Sequence, residues 1–335
     1  MAGIMEHDAR FYERKAGGLV HCSLCHHSCT LGLNKTGVCG VRSNRDGRLI
    51  LPHYGHASAL SSDPVEKKPL YHFLPGTCTF SIGYVGCNLH CPFCQNYGIS
   101  QSTDARFQSI DPAVLVQLAI NAHCPSIAHT YSEPLIHAEF VIDCMKAAHE
   151  AGLYNILVTN GCALKEASLE VLEYCDAVNV DIKAWDNAFY SSELGGDLTT
   201  VMDFIGLAIE SGVHLEATTL VIPGKNDDDG QILGISAFLA SFSKDIPLHL
   251  SAYRPMYRYT IPATPVSTIS RLTAVARQNL HYVYVGNVAG DSGATVCRHC
   301  GAVLVRRKDY IVDVCGLAGT VCSKCGNETP IIVSS

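Results

Sequence analysis

The 335-residue chain contains no run approaching the ~20 apolar residues that a membrane span requires. Its first residues, Met1 to Asp8, show no basic stretch followed by an apolar one, which is the mark of a secretory leader. A cytoplasmic protein is therefore expected. Positive charge is not in excess either: 24 Lys and Arg against 31 Asp and Glu give a net charge of -7. That balance argues against a polynucleotide partner, because phosphates are gathered by a basic footprint. Internal repeats, low-complexity tracts and long Gly/Ser linkers are also missing, so a repeat array or tethered modules are not expected. What the chain does have is apolar mass, with 47% hydrophobic residues, ample for one large α/β domain with small appendages.

It also has 17 cysteines, eleven of them in three tight groups. A disulfide framework belongs to short secreted chains, so metal ligation is the better account here. In the central group, Cys87, Cys91 and Cys94 stand at C-x3-C-x2-C spacing directly after the apolar stretch 80–85. Three thiolates hold three irons of a cubane [4Fe-4S] cluster and leave the fourth iron free to bind a substrate or cofactor. A zinc knuckle with a fourth ligand such as His90 is the plainer alternative. At the C-terminal end, Cys297 and Cys300 followed by Cys322 and Cys325 form two C-x2-C knuckles that can aim four thiolates at one tetrahedral ion, with zinc favoured over a rubredoxin-type iron. Near the start, Cys22, Cys25, Cys29 and Cys39 lie within eighteen residues too polar to bury them as core. Zinc and an iron-sulfur cluster both stay open there, with a slight preference for zinc. Cys78, Cys124, Cys144, Cys162 and Cys175 are expected as core thiols, and Cys315 as a spare buried one.

Between these groups, strand-like and helix-like patterns alternate. Strands are predicted over 77–85, 126–131, 154–159, 177–181, 214–221, 248–252 and 282–285. Helices are predicted over 112–122, 135–151, 165–174, 199–211, 231–241 and 267–277. Asp111 and Pro112 open the first helix, and Gly152 closes the second. Such alternation implies a parallel sheet covered by helices, and no Gly-x-Gly-x-x-Gly follows the first strand to suggest a doubly wound nucleotide fold. The fold class expected is a partial (β/α) barrel, residues 61–290, flanked by a Cys-rich segment, 1–60, and a four-cysteine ribbon, 291–335. In barrels of this kind the chemistry collects at the C-terminal ends of the strands. The three central cysteines, the run from Thr130 to Pro134, Thr159-Asn160-Gly161, Asp181-Ile182-Lys183 and Pro223-Gly224 all share that address.

The central run resembles the signature of radical S-adenosylmethionine (SAM) enzymes. Taken with the stretch from Lys68 to Thr77, Gln95-Asn96, the run from Thr130 to Pro134, Leu157 to Gly161, Asn179 to Lys183, Thr218 to Gly224 and Tyr282 to Asn287, the chain is similar to the AmmeMemoRadiSam-system radical SAM enzymes. That family is related to pyruvate formate-lyase activating enzymes. The resemblance implies that Cys87, Cys91 and Cys94 ligate a catalytic [4Fe-4S] cluster and that Phe93 lies beside the SAM adenine. It also implies that Glu133, matching the acidic residue of a Gly-Gly-Glu-Pro motif, holds the SAM amino group, that Asp181 and Lys183 contact SAM, and that Thr159 stands at the position of a Thr that helps to bind a monovalent cation near the SAM carboxylate. Val158 stands where relatives carry a cation-binding Asp, and Arg254 where they carry His. The reaction implied is reductive cleavage of SAM to a 5'-deoxyadenosyl radical. A low-potential electron donor and Memo-like and AMMECR-like proteins are the partners implied. A glycyl-radical-enzyme activase and a non-catalytic zinc-ribbon interaction protein remain as alternatives. From the residues alone, a helix-capping role for Glu133 and an internal ion pair between Asp181 and Lys183 stay open.

Overall fold

The computed structural model describes residues 7–102, 105–288 and 293–333. All seven predicted strands are there, together with an eighth. The main sheet comprises β1 (Ala59–Pro64), β2 (Cys78–Gly83), β3 (Ser126–Thr130), β4 (Tyr154–Thr159), β5 (Ala177–Asp181), β6 (His214–Val221), β7 (Leu248–Ala252) and β8 (Val283–Gly286). The strands lie side by side in chain order from β1 to β8. All neighbours are parallel except β1, which runs antiparallel to β2. Among the described residues β8 does not pair with β1, so the barrel-like sheet is partial.

Strand β1 is absent from the sequence-based expectations for a physical reason. Ala-Leu-Ser-Ser-Asp-Pro carries little apolar alternation and ends on proline, which a sheet tolerates at an edge. The boundary expected at residue 60 therefore falls inside a strand. The one expected at 290 lies outside the described residues, as do residues 1–6 of the expected N-terminal segment.

Between the strands run α1 (Pro112–Asn121), α2 (Ala138–Glu150), α3 (Lys165–Leu172), α4 (Leu198–Glu210), α5 (Asp229–Phe242) and α6 (Val266–Ala276). Asp111 caps α1 by accepting from Ala113 N–H. The helix expected from 135 begins three residues later, because Pro134 opens a 3-10 turn, Pro134–His137, whose N-cap is Glu133. No helix among the described residues is long and apolar enough to cross a membrane.

The period of two along each strand sorts the side chains. Ile127, Leu157, Val178, Val180, Leu215, Leu248 and Leu250 join the large core shared with the helices. On the other face, Ala128, Ile156 and Ala177, neighbours in register, pack with Val65, Leu70, Phe73 and Leu74 of the segment between β1 and β2. That segment plugs the concave face and is anchored by buried Glu216, which accepts from Tyr71 N–H (2.8 Å), His72 N–H (2.7 Å) and His249 Nε2 (2.7 Å). With the lower tiers filled, the open space lies toward the strands' C-terminal ends.

Two small modules flank the sheet. The first is built from short hairpins through Tyr12–Arg14, Val20–Cys22 and Thr30–Leu31, and through Ser43–Arg45 and Arg48–Leu51. The last carries Val303–Lys308 paired with Ile311–Asp313 and a core of its own around Cys297, Leu304, Val305, Cys322 and Ile331. It is tied to the plug: Ile332 N–H donates to His72 O and Leu74 N–H to Ile332 O, both at 2.7 Å.

Candidate functional site

A cavity of about 320 Å³ opens at the C-terminal ends of the strands. Cys87, Cys91, Cys94 and Phe93 line it from the loop after β2, Thr159 and Asn160 from the end of β4, and Asp181 and Lys183 from the end of β5. Inward positions of the other strands complete it, notably Thr130, Thr218, Leu220 and Ser251. Eight of the predicted site residues are named in the central resemblance, and seven of them meet in this one cavity.

The exception is Glu133. Its side chain is fully buried, and it is not among the lining residues. Its carboxylate accepts from Thr159 Oγ1 (2.6 Å), Asn160 N–H (2.8 Å) and Leu135 N–H (2.9 Å). Burial pushes its pKa up to about 7, against the pull of those three donors. Glu133 thus ties the end of β4 to the turn that opens α2, the capping role left open by the sequence, extended to a second element. The chain before it, Tyr131 and Ser132, lines the cavity with φ of +51° and +123°. These are left-handed values that cost a side-chain-bearing residue about 1–3 kcal/mol and gather at functional sites.

Asp181 and Lys183 both face the cavity and also form the ion pair that the period of two allowed, Lys183 Nζ to Asp181 Oδ2 at 2.6 Å. Burial would lower the Lys183 pKa, but Asp181 and then Cys91 raise it above the usual lysine range. A fixed cation therefore stands beside the cysteine loop. Val158 lines the cavity where a cation-binding Asp would be needed, and Arg254 is exposed.

The cysteine loop has the donors of a metal centre. Burial pushes the Cys91 thiol up to about 12 and also holds that of Cys87 well above its ordinary value, so a bound cation is what would hold these sulfurs as thiolates. Leu89 N–H donates to Cys87 Sγ at 3.3 Å, Asn160 Nδ2 lies 3.7 Å from the same sulfur, and Ser100 Oγ is 3.2 Å from Cys94 Sγ. Hydrogen bonds to the sulfurs are one of the levers that set the potential of such centres. Among the described residues, the one set of three or more Cys, His or carboxylate ligand atoms within 4.8 Å of one another is that of Cys297, Cys300, Cys322 and Cys325. The Cys87, Cys91 and Cys94 sulfurs are thus spread wider than a single ion needs. That suits three corners of a cubane and disfavours the zinc knuckle.

The C-terminal four do fit one ion. Cys297 and Cys325 Sγ are 3.7 Å apart, as are Cys300 and Cys322 Sγ, close to the ~3.8 Å edge of a tetrahedron with ~2.3 Å metal–sulfur arms. Asn327 Nδ2 donates to Cys325 Sγ and pulls that thiol down to about 6. Two of the expected buried thiols are not buried: Cys315 and Cys78 are exposed, the latter as the first residue of β2.

The family model described as the Radical SAM superfamily matches residues 81–233, the stretch that carries the cysteine loop and the ends of β3 to β6. The chain is also 36% identical to an uncharacterized protein of Methanocaldococcus jannaschii over 97% of its own length and 99% of that protein's. The chain belongs to the radical SAM superfamily. It is an enzyme of that superfamily, with general radical SAM chemistry and a relation to the pyruvate formate-lyase activating type. It is 21% identical to the pyruvate formate-lyase 1-activating enzyme of Escherichia coli K12 over 52% of this chain and 74% of that one. Among solved structures, Streptococcus suis SuiB bound to S-adenosylmethionine aligns with a TM-score of 0.49 at 14% identity, covering 67% of this chain and 54% of that one.

The cavity is also lined by residues that sequence reasoning did not single out as ligands: Asn160, Thr218, Ser251 and Asn287. Asn160 sits within a noticed strand-end motif, and Thr218 and Ser251 share the inward parity of Asp181, so strand-end address combined with parity would have found them. Glu216 carried no such signal, because apart from His214 its partners come from residues 71–72 and 249, far apart in sequence.

Proposed function

We propose that this chain holds a [4Fe-4S] cluster on Cys87, Cys91 and Cys94 and binds SAM in the adjoining cavity, as a cytoplasmic enzyme of the AmmeMemoRadiSam type. The observation that carries the reading is the shared cavity, where three thiols, a buried aromatic, a fixed cation–anion pair and several strand-end hydroxyls and amides converge. Cys87, Cys91 and Cys94 would hold the cluster, which when reduced would supply the electron for cleavage of SAM to methionine and a 5'-deoxyadenosyl radical. The chain's own part is binding and orientation. Phe93, 4% exposed and 5.7 Å from the Tyr259 ring, offers a flat apolar wall for the adenine. The Lys183 ammonium offers a charge-assisted donor to the SAM carboxylate, and Asp181 an acceptor to its ammonium. Glu133 holds Thr159 and Asn160 in place from behind. That radical would take a hydrogen atom from a substrate, with Memo-like and AMMECR-like proteins as partners. The C-terminal four cysteines hold structural zinc.

Anaerobic reconstitution with iron and sulfide, followed by assay for 5'-deoxyadenosine with dithionite and SAM, tests the reading. The native chain should form the nucleoside and Cys91→Ala should form none; equal production by both would overturn it. The likeness to pyruvate formate-lyase activating enzymes supports a second reading, in which the hydrogen donor is a glycine of a partner enzyme. A stable protein-centred radical signal on that partner after turnover distinguishes it.

A further inference from the structure

We propose that Cys22, Cys25, Cys29 and Cys39 hold a second iron-sulfur cluster, which passes electrons to the site formed by Cys87, Cys91 and Cys94. Cys22, Cys25 and Cys39 are buried and Cys29 is half-buried. A Cβ added at Gly37 would lie 3.7 Å from both the Cys29 and the Cys39 sulfur, so these two flank one point. No three of the four sulfurs come within 4.8 Å of one another, in contrast to the C-terminal set. A single tetrahedral ion needs edges of about 3.8 Å, whereas a cluster interposes its own irons and sulfides and needs a wider frame. In this respect the N-terminal four resemble the catalytic three.

An independent observation comes from Arg42. Its side chain is 1% exposed, and its Nη atoms are engaged by Glu139 at 2.7 and 3.0 Å and by Arg10 O at 2.6 Å. Its Nε has no partner, although a buried donor normally finds one. The guanidinium is within electrostatic reach of Cys22 and Cys39. A thiolate or sulfide of a cluster would give this N–H an acceptor and the bound anion a counter-charge.

The placement of the module gives the site its role. Gly86, the residue before Cys87, has φ +83°, and a Cβ there would lie 2.5 Å from Cys39 O. The backbone of one cysteine group therefore touches that of the other. His27 Nε2 reaches Asn88 O at 2.8 Å, inside the catalytic loop, and Leu164 N–H donates to Leu24 O at 2.9 Å beside the end of β4. Cys29, on the half-exposed side, turns the site toward solvent. A low-potential one-electron carrier reduces the outer centre by one electron. That electron then moves inward, so the outer centre is reoxidised as the inner one is reduced, with no bond made or broken. The hand-over rests on the SAM-cleavage reading; the metal site itself does not.

The test uses the full chain with Cys87, Cys91 and Cys94 all replaced by Ala, reconstituted anaerobically. Iron and acid-labile sulfide should remain in equal amounts, with a dithionite-reduced cluster signal in electron paramagnetic resonance that disappears when Cys25→Ala is added. Zinc in place of iron, or iron without sulfide, would overturn the cluster assignment without touching SAM cleavage by the native chain. In the native protein the reduced spectrum should be broadened by coupling between two neighbouring centres. A plain sum of two isolated spectra would overturn the relay.

Discussion

At the scale of single residues, Glu133 shows how a strand-end address can be legible while its contacts are not. Its position among the strand ends was legible, but the direction of its carboxylate depends on the Thr159, Asn160 and Leu135 donors that the fold brings to it. Glu133→Gln would present an amide to one of these donors while leaving the cysteines untouched. We expect iron content to be unchanged and SAM affinity to fall roughly ten- to a hundredfold, from weakening hydrogen bonds to a charged group worth about 1.5–3 kcal/mol. Equilibrium binding of SAM to the reconstituted protein measures it, and undiminished affinity would leave Glu133 as a helix cap only. The cysteine spacings were legible because ligation is local. The exposure of Cys78 and Cys315 was not, since burial is decided by what packs above a residue.

At the scale of elements, the seven parallel strands were legible to within two residues at each end, because each is a short apolar run bounded by turn residues. Strand β1 was not, because an edge strand needs so little apolar surface. Nor was the contact between the first module and the cysteine loop, which rests on a missing side chain at Gly86. Gly86→Ala adds a Cβ that would meet Cys39 O and Val41 Cγ2 at 2.5 Å, at a backbone with φ +83°. Gly152→Ala has a similar φ of +75° but nothing within 4 Å. The first should lower stability by about 1–3 kcal/mol beyond the second and reduce bound iron, while the second keeps its iron. Anaerobic thermal unfolding and iron analysis of the two variants make the comparison, and equal behaviour would remove the contact from the account.

At the scale of the whole molecule, the interior stores histidines that burial keeps neutral. The His72 and His129 pKa values are lowered to about 3 and that of His137 to about 4. Between these values and the ordinary histidine value of about 6.5, the unfolded chain binds protons that the native chain does not. Their contribution is therefore complete above pH ~6.5 and is lost as the pH falls, with a slope of up to about 1.4 kcal/mol per pH unit for each group. Replacing His129 with Phe should flatten that acid slope by one group's share in urea unfolding measured across pH 4 to 6.5, and an unaltered slope would show that His129 does not titrate on unfolding. The C-terminal ribbon offers a separate check. Stripping the proposed zinc with a chelator should speed hydrogen exchange in residues 295–333 and also in the plug at His72 to Leu74, which is bonded to Ile332. Faster exchange confined to the ribbon would mean that the bridge is weak. The strict side-by-side order of β1 to β8 bears finally on how the chain assembles as it leaves the ribosome. Each newly made strand finds its neighbour already in place, so the sheet can grow in the direction of synthesis. The plug, by contrast, is made early and secured late, since it must wait for Glu216 and then for Ile332. The nascent enzyme thus carries an unfilled floor until translation is nearly over, and this is the interval in which a chaperone would find the most exposed oil.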